Sequence, residues 1–340
     1  MATALALAIA SSAPAPSAAP VPTFDDLMAY LHFDGGERAR VVQGEIVGKD
    51  FRESDDKEIS IAVVALFDAP LPRLVGEIRK GELLRADREV LDFRLFPPGT
   101  PPEEAFQTVG YSSEEAKEIR HLLGAAPGST FNLSAIELER IRALRARFPG
   151  GDCERNAACA EAVSGVYRGL LVERLMSYQK DGLKGIAPYD RGSGVSVRPE
   201  EELRKAAQDA ELIRRAFPEF YKAFTEFPSE PVEPGDTQFL WIKQRVQGRP
   251  AFALAHRLYE VRPDMALIAE RQFYVGTSYN SLQTFIGLLP LGNRTLLVYT
   301  NRTFTDQVAG LASSMRHSLG RNKMMSVVTA NLVALRQRLR

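Results

Sequence analysis

The fold is decided by five runs near the end of the chain: QFLWIKQRV (Gln238–Val246), AFALAHRLYEV (Ala251–Val261), MALIAERQFYV (Met265–Val275), NSLQTFIGLL (Asn280–Leu289) and TLLVYTNRT (Thr295–Thr303). Each alternates in polarity, the period of a strand. Gln247-Gly248-Arg249-Pro250, Arg262-Pro263-Asp264 and Leu291-Gly292-Asn293 punctuate them as turns. Connections this short join antiparallel neighbours. A helix-like stretch then runs from Asp306 to the C-terminus, with Thr305 as its N-cap. The expected class is α+β: a curved antiparallel sheet packed on a long C-terminal helix, with a large helical insertion.

Working outward, Glu58–Phe67 reads as a further strand, apolar on both faces and therefore central and covered on both sides. Arg40–Lys49 pairs with it as a hairpin, with Gly44 and Gly48 marking a bulge or bend. Phe24–Leu31 and Leu71–Arg79 read as helices, Asp34-Gly35-Gly36 as a turn, and Val90–Phe96 as a strand. From about residue 101 to 231 the texture is helical. Ser112-Ser113-Glu114-Glu115 and Ser134-Ala135-Ile136-Glu137 are capping boxes. The second opens a helix over Ala135–Phe148 whose expected buried stripe is Ile136, Ile141, Leu144 and Phe148. Further helices are expected over about residues 158–180, Glu200–Arg215 and Glu219–Phe224. Strands flank this block on both sides, so it reads as an insertion into one domain spanning residues 23–340.

The terminal helix carries two apolar stripes. Val308, Leu311, Met315 and Leu319 form one, and Met325, Val328, Leu332, Leu335 and Leu339 the other. At about 100° per residue they are rotated by roughly a third of a turn. The helix is therefore expected to bend near Gly320 or to meet different surroundings at its two ends.

Lys plus Arg equals Asp plus Glu at 43 each, which disfavours a general nucleic-acid binder. The hydrophobic share is 45%, as in ordinary globular proteins. The run Leu5–Ala10, followed by an Ala/Pro/Ser stretch, is too short to span a bilayer. It resembles the end of a secretory signal with Ala8-Ile9-Ala10 as the cleavage site, so residues 1–22 read as a signal-like or disordered leader. Export to a periplasmic or extracellular space is the matching expectation. Cys153 and Cys159 are the chain's two cysteines, and their spacing does not fit a metal site. In an exported protein they would form a local disulfide, which requires Cys153 to lie outside the following helix.

Chemistry is less legible. There is no Gly-x-Ser-x-Gly elbow, no Walker loop and no His-Glu-x-x-His pattern. Polar residues do recur on the apolar strands. His256, Arg257 and Glu260 lie on one strand, and Glu270, Arg271 and Tyr274 on the next. Glu260 or Glu270 can pair with Arg257 or Arg271 as a cross-strand ion pair on the solvent face. Alternatively these groups anchor a ligand's polar end inside an apolar cavity. His317 and Arg321 on the terminal helix are available to the same ligand.

The run Ile59–Pro70 looks like the first strand and turn of START-related, Bet v 1-like helix-grip proteins. Thr295–Thr303 with the Asp306 helix resembles their last strand and terminal helix. The resemblance covers residues from about 38 to 96 and 236 to 338. It implies binding of a lipid, sterol or other apolar small molecule. The leading expectation is thus an exported, non-enzymatic carrier without a cofactor, not integral to a membrane but making transient contact with one. An enzyme using Glu260, Glu270, His256 or His317 as acid or base, and an envelope protein docking a partner through its insertion, are the alternatives.

Overall fold

The computed structural model describes residues 20–148, 153, 156–230, 232–310 and 312–339. The leader assignment over residues 1–22 therefore falls almost wholly outside the described residues. The chain opens with helices α1 (Phe24–Tyr30) and α2 (Gly35–Val42), then strands β1 (Val47–Asp50) and β2 (Glu58–Phe67). Helices α3 (Leu71–Arg79) and α4 (Glu82–Ala86) lead to β3 (Val90–Phe96). The insertion follows: α5 (Pro102–Ala105), α6 (Ala116–Leu123), α7 (Ala135–Arg147), α8 (Ala157–Asp181), the hairpin β4 (Tyr189–Gly192) and β5 (Val195–Val197), then α9 (Pro199–Gln208), α10 (Glu211–Ala216) and α11 (Pro218–Thr225). The closing block is β6 (Thr237–Val246), β7 (Arg249–Arg262), β8 (Met265–Val275), β9 (Ser281–Leu291), β10 (Arg294–Phe304) and α12 (Ser313–Arg338).

Eight strands form one antiparallel sheet in the order β1-β2-β10-β9-β8-β7-β6-β3. The blocks before and after the insertion thus belong to one sheet, because β2 pairs with β10 and β3 with β6. Every residue of β2 is buried, as its two apolar faces require. One face holds Ile61, Val63, Phe67, Ile268 and Leu297 under α3 and the end of α12, where Leu332, Leu335 and Leu339 are buried. The other face is covered by α1 and α2 at Ala62, Val64, Leu66, Leu296 and Val298, and by the insertion over the remaining strands. Trp241, Phe252 and Phe273 pack on α6–α8, while Leu258, Leu267 and Phe285 pack on α11.

Several local expectations are corrected. Asp34 is not a turn residue but the N-cap of α2, in a capping box with Glu37. That helix occupies the first part of the expected Arg40–Lys49 strand. Gly48 makes no bulge. A β-carbon there would collide with the Met325 side chain of α12, so the glycine lets the helix approach the sheet edge. On α7, Ile136 is 69% exposed, and Glu137 and Leu138 join Ile141 and Leu144 inside. Glu137 is buried because Arg174 binds it with two guanidinium nitrogens. The insertion also contains the β4–β5 hairpin, which the helical reading missed. Cys153 lies ahead of α8 and is bonded to Cys159.

The terminal helix starts later than expected. Thr305 does not cap it: its hydroxyl accepts from the Gln307 backbone, and Asp306 pairs with Lys57 and Arg191. Met315 is 67% and Leu319 64% exposed, so the first apolar stripe is not the buried one. Leu311 lies outside the described residues. Instead His317, Gly320 and Arg321 face the sheet edge, because Glu53 and Ile59 wait there. Both oxygens of Glu53 take hydrogen bonds from Arg321, at 2.9 and 3.0 Å, and its Oε2 also meets His317 Nδ1 at 2.8 Å. A β-carbon on Gly320 would come within 2.5 Å of Ile59.

A candidate ligand cavity with a polar floor

The helix α12 contacts β1, β2 and α4; its end packs with Ile268, Ile286 and Leu288 of the middle strands through Leu332 and Leu335, and the turns before that leave space above those strands. The space left is a cavity of about 700 Å³. Its roof is mainly apolar, with Leu319, Gly320, Met324, Val327, Val328 and Leu332 of α12, and Arg316, Lys323 and Asn331 of the same helix also line it. Its floor is the middle of one sheet face, largely buried from bulk solvent, and that face is mixed. Ile242, Ile268 and Ile286 alternate with Gln244, Arg257, Glu270, Gln272 and Thr284. Tyr299, Asn301 and Thr303 of β10 continue the polar row.

The floor groups are joined into two hydrogen-bonded sets. In the first, Gln244 donates to the Tyr279 hydroxyl at 2.7 Å, and that hydroxyl donates to Gln272 at 2.7 Å. Gln272 in turn donates to Glu270 at 3.3 Å, whose other oxygen takes Arg257 Nε at 2.5 Å. In the second, Asn301 donates to Thr284 and to the Tyr299 hydroxyl, each at 3.2 Å, and accepts from Thr303 at 2.8 Å. Burial raises the pKa of the Tyr279 and Tyr299 phenols, so both stay neutral donors. Among the described floor groups, the directly bonded charged pair is Arg257 with Glu270, and it compensates itself. The cross-strand pairing seen in the sequence exists, but inside the cavity rather than on the solvent face.

Of the eight residues singled out from the sequence, Arg257 and Glu270 line this cavity. His256, Arg271 and Tyr274 are buried on the opposite face against the insertion. His256 sits between the Tyr178 hydroxyl at 3.0 Å on Nδ1 and the Thr237 hydroxyl at 2.8 Å on Nε2. Tyr178 accepts from Arg271 at 3.1 Å, which frees its own hydrogen for His256 Nδ1. Burial, reinforced by the Arg271 charge, pushes the His256 pKa far down, so the ring is neutral. Tyr274 is hydrogen-bonded to Tyr167 at 2.9 Å. Glu260 pairs with Arg262 beside it. His317 and Arg321 serve the helix anchor at Glu53 and do not line the cavity. The bulge in the β7–β8 pairing, between Leu254 and Ala255, shifts the register there.

Most floor residues were missed because the sequence reading selected charges. Their signal was parity. Residues in register with Ile268 and Ile286 share their face, so Gln272, Thr284, Tyr299 and Asn301 follow once the pairing is known.

A second polar cluster joins the insertion to the sheet. Glu202 of α9 accepts from Asn280 at 2.9 Å and Ser281 at 2.7 Å. Arg191 of β4 donates to Asn132 at 2.9 Å, to Asn280 at 3.0 Å and to Asp306 at 3.0 Å. Burial raises the Glu202 pKa to about 7 against those two hydrogen bonds. Among the described residues there is no cluster of His, Cys, Asp and Glu that could hold a metal, and no helix long and apolar enough to cross a membrane.

No protein-family model matches the sequence, and no curated protein matches it significantly. Several solved structures are similar to part of it, three of them as follows. The protein TTHA0849 from Thermus thermophilus is 16% identical, covers 42% of this chain and 88% of its own, and gives a TM-score of 0.26. The ZhuI aromatase/cyclase from Streptomyces sp. R1128 is 19% identical over 41% and 85%, with a TM-score of 0.25. Ara h 8.0201 is 12% identical over 39% and 88%, with a TM-score of 0.19.

Two outcomes follow from the electrostatics. Glu270→Leu leaves the Arg257 charge buried and alone, and should cost about 3–5 kcal/mol in denaturant unfolding. The double variant Arg257→Met, Glu270→Leu should recover most of that loss; a double variant as unstable as the single one contradicts the pairing. For Glu202, the folded state holds its proton up to about pH 7, while the unfolded chain releases it near the ordinary value of 4.5. Its contribution to stability is therefore full below about 4.5 and lost as pH rises to about 7. Glu202→Gln should flatten that slope in a pH series of melting temperatures, and an unchanged slope would place the effect elsewhere.

Proposed function

We propose that the protein binds and carries a hydrophobic small molecule in the cavity between its sheet and α12. The observation that carries this reading is the stand-off of the first turns of α12 from the middle strands, which leaves about 700 Å³ whose lining surface is mainly apolar. That volume is in the range of sites for drug-sized molecules. The acid–base alternative has less support. Of its four candidate groups only Glu270 lines the cavity, and Glu270 is engaged by Arg257. The docking alternative rests on Ile136, Met176 and Val195, exposed apolar side chains on three separate elements of the insertion.

Native mass spectrometry and solvent extraction of the purified chain test the carrier reading. A bound or loadable apolar molecule is expected, and Val327→Trp, which fills the cavity from its roof, should abolish loading while the fold persists by circular dichroism. Undiminished loading in that variant, or none in the wild type across lipids, sterols and aromatic polycycles, counts against the cavity.

The reading includes export, supported by the Leu5–Ala10 run and by the Cys153–Cys159 bridge. Mass determination of the N-terminus after expression of the full chain checks it. Cleavage after Ala10 is expected, and an uncleaved chain retained in the cell interior would remove this part of the proposal.

A further inference from the structure

The polar groups of the cavity are not gathered at one end, as a head-group anchor would be. They run across the floor from β6 to β10: Gln244, then Arg257, Gln272, Thr284 and Asn301, one or more from every strand. Four strand-to-strand steps span about 19 Å. The opposite wall is mainly apolar, with Arg316, Lys323 and Asn331 of α12 also lining the space. A molecule lying in this space meets hydroxyls and amides along one side and Leu319, Met324, Val328 and Leu332 along the other.

From this we propose that the ligand is a neutral, facially amphipathic molecule: a rigid polycycle carrying several hydroxyl or carbonyl groups on one face and none on the other. The proposal rests on the carrier reading and narrows its ligand class. A fatty acid or a sterol with a single hydroxyl satisfies one end of the row and lays hydrocarbon over the rest. Each floor group then covered without a partner carries a desolvation cost. A polyhydroxylated face meets the row throughout. The floor can accept it without rearrangement, because a hydroxyl or carboxamide already bonded to a neighbour keeps further donor or acceptor positions.

The floor also selects on charge. Arg257 and Glu270 cancel each other across 2.5 Å, and Tyr279 and Tyr299 are neutral phenols. No uncompensated cation lies among the described floor groups to receive a carboxylate. Burying one against this surface exposes it to Glu270 and strips its hydration without a counter-charge. The rim cations Arg245, Arg316 and Lys323 are exposed and stay hydrated, and Arg316 also donates to the Gln307 and Ala309 carbonyls.

The test compares four probes on the full chain by calorimetry and by competition with a fluorescent sterol: methyl cholate, cholate, cholesterol and palmitate. Methyl cholate is neutral with three hydroxyls on one face. It should bind about tenfold or more tighter than each of the others, since a site built to hydrogen-bond hydroxyls penalises analogues lacking them. Thr284→Val and Gln272→Leu should each narrow that preference by weakening methyl cholate and leaving cholesterol unchanged or tighter. If cholesterol or palmitate binds as well as methyl cholate, the ligand-class proposal fails while the carrier reading stands. If cholate is preferred, the charge argument fails. If no probe binds and none is extracted from the protein, both fall. Should a variant not fold, the wild-type ranking alone decides.

Discussion

The stand-off between α12 and the centre of the sheet depends on how the helix is held at its two ends. At its start, His317 and Arg321 bind Glu53, while Gly320 lies against Ile59. At its end, Leu332, Leu335 and Leu339 enter the core beside α3. Between these anchors the helix runs over β1 and β2, where Gly48 leaves room for Met325. The middle strands could not take a packed helix in any case. Their upper face carries Gln272, Thr284, Tyr299 and Asn301, which an apolar helix would desolvate without replacing their bonds. The two anchors and the polar row thus require the same thing, a gap.

The other face of the sheet shows what the same strands do when they are packed. There the insertion supplies partners for buried polar groups. Tyr178 bridges His256 and Arg271, Tyr167 meets Tyr274, and Glu137 neutralises Arg174. Every one of these contacts joins the insertion to the sheet or the insertion to itself. This packed layer behind the sheet makes it a rigid wall, and rigidity is what a preformed cavity needs. The Arg191–Glu202–Asn280 cluster ties the insertion to Asp306, just after β10, and so reaches the segment that leads into α12.

The strands were legible in the sequence because period-two alternation is a local property. Glu58–Phe67, Val90–Phe96 and Met265–Val275 have the observed bounds. Alternation could not say which face of a strand meets which layer, since polar groups lie on both faces of β7 and β8, one turned to the insertion and the other to the cavity. His256 and Arg257 are neighbours in sequence and serve opposite layers. The start of α12 failed for another reason. Thr305 and Asp306 have the residue types of a helix start, but Lys57 and Arg191 claim the Asp306 carboxylate, and the helix does not begin until Ser313. Ile136 failed because a burial stripe was drawn through apolar residues alone, whereas a charged Glu137 with a bidentate partner is the better buried side chain.

A cavity floor that satisfies itself when empty has a consequence for exchange. Each floor group already holds at least one hydrogen bond within its own set, so the empty state does not leave bare donors that would collapse the gap or trap a ligand irreversibly. Binding energy then comes from the apolar roof, at about 25 cal/mol per Å² of surface removed from water. The floor adds selectivity, because a group that fails to match it loses the hydration that water had supplied. Affinity and discrimination therefore sit on opposite walls. Substitutions on α12 should change how tightly molecules bind, and substitutions on β8 to β10 should change which ones.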